Sequence, residues 1–162
     1  MDAALAVDSE PGTLESRARA VRRILIIANE TLSGRALLDE IVRRVDADEA
    51  EVLVVCPALN SRLKHWMSDE DGARQAASQR LIESLATLAA LGIDARGEVG
   101  DADPVQAIDD ALRTWPASEI MISTHPPGRS TWLERRVTKA AERFRLPVTH
   151  VVIDLTRDLS PV

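Results

Sequence analysis

The chain has 162 residues, of which 45% are hydrophobic and 28% charged, and its formal net charge at pH 7 is −6. This length suits one domain with a buried core, and the acidic balance argues against bulk attraction to nucleic acid or anionic lipid. No apolar run approaches a membrane-spanning helix, and the first residues lack the basic region of a secretory leader. The single cysteine, Cys56, fits the reducing cytoplasm, where we expect the protein to act.

The first regular elements follow a polar segment, residues 1–20, which we interpret as an arm outside the folded domain. Residues 22–28 (RRILIIA) form a continuous apolar run, which predicts a strand buried on both faces. A helical repeat follows, with Ser33 as its predicted cap. Residues 50–56 (AEVLVVC) then predict a second buried strand.

The middle of the chain predicts a helix, a weaker strand and a second helix. Asp69 or Ser68 is placed to cap the first helix, which runs to about Leu91. It should end at Gly92, because glycine readily takes the positive φ that terminates helices. Residues 93–99 (IDARGEV) alternate between apolar and polar, which is typical of a strand near a sheet edge. Asp103 is placed to cap the next helix, with Pro104 at its first position.

The last elements complete an alternating pattern. Residues 119–123 (EIMIS) predict a buried strand, a helix containing Val137 follows, and residues 148–155 (VTHVVIDL) predict the final strand before a tail at 156–162. Short buried strands that alternate with amphipathic helices predict an α/β domain over residues 21–155. Its sheet is doubly wound and parallel, with helices on both faces.

Ligands of such sheets bind beside the carboxyl ends of the strands, which draws attention to residues 123–132 (STHPPGRSTW). Small, hydroxyl and basic residues between a strand and a helix are typical of a phosphate cradle. However, Pro126 and Pro127 stand where a cradle needs backbone N–H groups, and proline has none.

Three stretches, GDADPVQAIDDAL, ASEIMISTHPPGRSTWLERRV and LPVTHVV, resemble the universal stress protein family. The resemblance covers about residues 22–154 and is clearest from Gly100 onward. It implies a five-stranded sheet in the order 3-2-1-4-5 and cytoplasmic homodimers with roles in stress survival or regulation. It also implies ATP or AMP as the ligand of many members, although other members bind neither.

The nucleotide-binding members carry Gly, two residues, Gly, nine residues, then Gly followed by Ser or Thr. When His125 is matched to the family histidine, Ser123 and Pro126 take the places of the first two glycines. The third glycine falls near residues 135–136, which are both arginine, and the family's strand-one aspartate corresponds to Asn29. These departures predict weak or absent ATP binding.

A smaller anion site remains a second hypothesis, because a helix N-terminus offers free amides and Arg129 offers charge. The alternatives are purely structural roles, in which Ser130 and Thr131 cap the helix and His125 bonds to the backbone. The candidate ligand-binding residues are Asn29, Thr31, Ser123, His125, Gly128, Arg129, Ser130 and Thr131.

No catalytic motif or zinc-ligand spacing stands out, so we expect a non-enzymatic regulatory or interaction protein with an unidentified protein partner. The alternative is a sensor that binds a nucleotide or other anion at residues 123–131. We also expect a homodimer through the edge strand at 148–155, unless the arm or the tail covers that edge.

Overall fold

The computed structural model describes residues 21–29, 32–47, 49–59, 70–124 and 131–153. The strands are β1 (Arg22–Ala28), β2 (Ala50–Pro57), β3 (Ala95–Gly100), β4 (Glu119–Thr124) and β5 (Val148–Val152). The helices of the described ranges are α1 (Arg35–Ala47), α2 (Glu70–Ala90), α3 (Pro104–Thr114) and α4 (Thr131–Phe144). All strands pair in parallel in one sheet with the order β3-β2-β1-β4-β5, which confirms the predicted fold class.

β1, at the centre of the sheet, is buried on both faces. Ile24 and Ile26 belong to the core formed with α1 and α2, whereas Leu25 and Ile27 belong to the core formed with α3 and α4. All four are 0% exposed. Because successive residues of a strand point to opposite faces, a strand covered on both sides is apolar at every position.

The helix ends agree with two predictions and correct a third. Gly92 has φ +78° and ends α2, and Asp103 caps α3 by accepting a 3.0 Å hydrogen bond from the Val105 N–H. The N-cap position of α1 is held by Gly34, not by Ser33, since the first intrahelical bond runs from the Leu38 N–H to the Gly34 carbonyl.

Both edge strands are shorter than the sequence predicts. β3 begins at Ala95 and not at residue 93, because the Ile93 N–H bonds the Leu88 carbonyl and so belongs to the end of α2. β5 ends at Val152 and not at residue 155, and within the described ranges it pairs with β4 as far as Thr124. The arm (1–20) and the tail (156–162) lie outside the described residues, so their assignment stays a prediction.

Among the described helices, none has the length and apolar character that a membrane crossing requires.

Candidate functional site

The carboxyl ends of β1 and β4 meet at the centre of the sheet. The chain leaves β1 for a helix on one face and leaves β4 for a helix on the other face, which makes this point the topological switch of the fold. Ala28 of β1 lies in register with Ser123 of β4. The residues that follow them along the two strands, Asn29 and Thr124, are therefore neighbours at this edge.

Asn29, at the end of β1, has incomplete hydrogen bonding, as does Arg80 Nε beside the end of β2. Asn29 is only 5% exposed, and within the described structure neither its Oδ1 nor its Nδ2 has a hydrogen-bond partner. Leaving a buried polar group unpaired costs about 1–3 kcal/mol. Such groups are rare in folded proteins, and each needs a reason, such as a ligand or a bound water that completes it.

The hydroxyl groups at the end of β4 are already engaged. The Ser123 hydroxyl donates to the Ile27 carbonyl across a long 3.5 Å bond, and Thr124 Oγ1 shares a 2.6 Å hydrogen bond with His150 Nε2. Ser123 and Thr124 are both buried. The structure therefore brings two predicted site residues, Asn29 and Ser123, to neighbouring strand ends.

The rest of the predicted site falls largely outside the described residues. Thr31, His125, Gly128, Arg129 and Ser130 are not described, and Thr131 begins α4 but its side chain is not described. Their assignment as ligand-binding residues stays a prediction.

Ser84, which the sequence analysis missed, holds the backbone of Leu32, which begins the described segment before α1. The Leu32 N–H donates to Ser84 Oγ at 3.0 Å, and both residues are fully buried. Ser84 lies on the face of α2 that also carries Ala77 and Leu88, both buried in the core. A polar residue within that apolar stripe is the signal from which its role can be inferred.

Asp103 joins the two helices on the other face of the sheet. Its Oδ1 caps α3, while its Oδ2 accepts a 2.7 Å bond from a terminal nitrogen of Arg136 in α4. Asp101 accepts from the Asp103 N–H at 2.8 Å. Asp101 thus serves the turn and Asp103 the predicted cap. Arg136 is engaged by a carboxylate near the predicted place of the third family glycine.

A second feature of the carboxyl edge is a cavity of about 210 Å³ beside the ends of β2 and β3. It is lined by Ala58, Glu70, Ala73, Arg74, Gly100, Asp101 and Ala102. Charges of both signs line it, so it has no clear preference for an anion or a cation.

Cys56 is a core residue and not a nucleophile. Burial raises the pKa of its thiol to about 11, although the nearby Arg80 charge acts in the opposite direction. The thiol is therefore protonated at neutral pH, whereas reactivity needs the thiolate. Elsewhere in the described ranges, no three His, Cys, Asp or Glu side chains are grouped to hold a metal ion.

A buried ionic cluster lies at the opposite, amino edge of the sheet, and the sequence analysis did not foresee it. Glu119 begins β4, is 3% exposed and is bonded by Arg44 of α1. Arg22 Nε of β1 lies 2.8 Å from Glu119 Oε1, and Arg44 also donates to Thr149 of β5 at 3.0 Å. Because the cluster joins β1, β4, β5 and α1, we assign it a structural role.

Comparison of the whole fold with known proteins gives one consistent result. Neither a protein-family model nor a curated protein sequence matches the chain. Among solved structures, a universal stress family protein from Burkholderia pseudomallei matches with a TM-score of 0.58 and 17% identity, covering 80% of this chain and 94% of that one.

Two further matches were solved with nucleotides. A universal stress family protein from Arabidopsis thaliana with AMP bound has a TM-score of 0.53 and 13% identity, covering 86% of this chain and 96% of that one. A universal stress protein in complex with cAMP has a TM-score of 0.54 and 17% identity, covering 82% and 98%. The five-stranded α/β fold described here is therefore the fold of the universal stress proteins.

Proposed function

We propose that this chain is a non-enzymatic, cytoplasmic regulatory protein of the universal stress type, which acts through a protein partner and binds ATP weakly or not at all. Its fold matches structures of that family, two of which hold a nucleotide. The cytoplasmic assignment rests on its single cysteine, Cys56, which is a buried free thiol.

The observation that carries the proposal is the neutral character of the central strand ends. Asn29, Ser123 and Thr124 are buried and uncharged, and the two hydroxyl groups are already hydrogen-bonded. A triphosphate needs several N–H donors or cations around it, and the sequence places Pro126 in the adjoining loop, where it removes a donor. Arg136, which could supply charge, is bonded to Asp103.

Thermal-shift measurements with ATP, AMP, cyclic AMP and phosphate test this proposal. A micromolar site at a hundredfold excess of ligand adds about 2.7 kcal/mol of stability, which raises Tm by about 5–10 °C in a chain of this size. We expect every one of these ligands to shift Tm by at most about 1–2 °C. A rise in Tm of about 5–10 °C with ATP would refute weak binding.

Asn29 favours a second candidate function, that of a small-ligand sensor. Its amide is buried with both polar atoms unpaired, which is the kind of group that a ligand completes. In the sensor hypothesis a nucleotide or other anion binds at residues 123–131, with Arg129 as its cation. Arg129→Ala should then weaken binding by roughly 1–3 kcal/mol, and unchanged affinity would remove Arg129 from the site.

A further inference from the structure

The cavity of about 210 Å³ at the carboxyl ends of β2 and β3 is separate from the ends of β1 and β4. Its volume is that of about seven water molecules, at about 30 Å³ each. Ala58, Ala73 and Ala102 form part of its wall, and their short side chains leave the space open. Pockets for drug-sized ligands have about 300–1,000 Å³, so this cavity suits a smaller molecule.

Three charged side chains line the cavity, and none of them has a partner of opposite charge within the described structure. Glu70 and Arg74, both of α2, form neither a hydrogen bond nor an ion pair there. Asp101 follows β3 and accepts the Asp103 N–H at 2.8 Å with its Oδ1, while its Oδ2 has no partner among the described residues. These groups can therefore bind a ligand without first breaking a contact within the protein.

The lack of an ion pair between Glu70 and Arg74 is unusual for this protein. The two residues are four positions apart on α2, the spacing at which a helix brings opposite charges together. α1 and α3 each contain an ion pair at this spacing, at 2.8 Å and 2.6 Å. Glu70 and Arg74 instead border the cavity without pairing, so the cavity presents separated charges of opposite sign.

We propose that this cavity binds a small zwitterion, a molecule that carries an ammonium and a carboxylate, as free amino acids do. The Arg74 guanidinium donates to the carboxylate, which the nearby N-terminus of α2 also attracts. Asp101 accepts the ammonium through its Oδ2, and the Glu70 carboxylate is a second acceptor. This site is additional to the proposed function and does not depend on nucleotide binding.

A ligand with a single charge fits this lining less well. A simple anion would meet two carboxylates, and a simple cation would meet the Arg74 guanidinium. A zwitterion pairs with both signs at once. Because the three charged residues are exposed, solvent and salt screen each contact, and we expect a dissociation constant in the millimolar range.

NMR titration of the full chain labelled with ¹⁵N, at constant ionic strength, tests the proposal. The readout is the backbone amide signals of Ala58, Ala73, Gly100 and Ala102, which line the cavity. The probes are 4-aminobutyrate, whose charges are far apart, and L-alanine, whose charges are adjacent. Butyrate and n-butylamine each keep one charge of the first probe, and propionate and ethylamine do so for the second.

We expect at least one zwitterion to shift the cavity signals and to bind about fivefold more tightly than either of its single-charge controls. Fivefold corresponds to the upper value for one exposed ion pair. The zwitterion that binds more tightly shows which spacing of the two charges the cavity takes.

Neutral variants separate the two halves of the site. Arg74→Gln should lower the affinity for the zwitterion about fivefold without weakening the binding of the amine control. Glu70→Gln should weaken the zwitterion and the amine but not the carboxylate control. Arg135→Gln should leave binding unchanged, because Arg135 is an exposed arginine of α4, on the other face of the sheet. All three residues are exposed, so the variants should fold, and the remaining amide signals report this.

The proposal is overturned if neither zwitterion shifts the cavity signals, or if a single-charge control binds as tightly as the zwitterion. Unchanged binding by Arg74→Gln would also overturn it, as would shifts confined to Asn29 and Thr124 at the ends of β1 and β4. ATP affinity is a separate measurement, so tight ATP binding would refute the main proposed function without deciding this one.

Discussion

At the scale of single residues, Ser84 is a polar group on the buried face of α2 that hydrogen-bonds the backbone close to the candidate site. It accepts the Leu32 N–H at 3.0 Å and so holds Leu32 against α2. An alanine at this position would leave a fully buried N–H without its acceptor.

We therefore predict that Ser84→Ala lowers the free energy of unfolding by about 1–3 kcal/mol, the usual penalty for an unsatisfied buried donor. Urea unfolding followed by circular dichroism measures it. Ser78→Ala is the matched control, because Ser78 is an exposed residue of the same helix, and it should change stability by less than about 0.5 kcal/mol. Equal effects of the two substitutions would show that the Leu32 contact contributes nothing.

The sequence predicts some of these residues and not others. Asn29 is identifiable because it directly follows a buried strand, and Asp103 because it precedes Pro104 at a helix start. The pair between Thr124 and His150 joins residues 26 positions apart, and no local period links them. Such contacts depend on which strands become neighbours, which residue spacing does not specify.

At the scale of elements, Glu119 connects strands and a helix that are far apart in the sequence. Its carboxylate meets Arg22 of β1 and Arg44 of α1, and Arg44 in turn reaches Thr149 of β5. The Arg44 guanidinium also lies 2.8 Å from the Glu40 carboxylate. Removing the buried carboxylate leaves two arginines facing each other without their shared anion.

Glu119→Ala should therefore lower the free energy of unfolding by about 3 kcal/mol, the low end for a broken buried pair, since both arginines keep some exposure. Denaturant unfolding tests this, with Glu142→Ala on the exposed face of α4 as the control. A loss no larger than that of the control would mean that the cluster is not stabilising.

Element order was predictable, whereas the ends of the edge strands were not. Apolar runs identify the three central strands because those strands are covered on both faces. Ile93 is apolar and looks like the start of a strand, but its N–H closes the end of α2. β5 ends at Val152, three residues before the predicted end, and nothing in the composition of residues 148–155 marks that point.

At the scale of the whole molecule, the two sheet edges differ in character. β3 presents the exposed charged residues Arg96 and Glu98, which discourage pairing with another chain. β5 consists of Val148, Thr149, His150, Val151 and Val152, and its last residue is 40% exposed. We therefore propose that β5, and not β3, pairs with a second copy about a two-fold axis.

Light scattering at micromolar concentration should then give twice the chain mass of 17.7 kDa. Val152→Lys places a charge on the exposed end of β5 and should shift the protein toward the monomer. Ile82→Lys is the control, because Ile82 is an exposed residue of α2, away from the edge, and this variant should stay dimeric. A single-chain mass for the unmodified protein would contradict the dimer.

The central claim, that the universal stress fold is used here without tight ATP binding, is tested most directly by calorimetric titration of the purified protein with ATP and magnesium. We predict no saturable heat in the micromolar range, because the neutral ends of β1 and β4 and the proline-interrupted loop supply too few donors for a triphosphate. One ATP bound per chain with a Kd near 1 μM, about −8.2 kcal/mol, would contradict the claim.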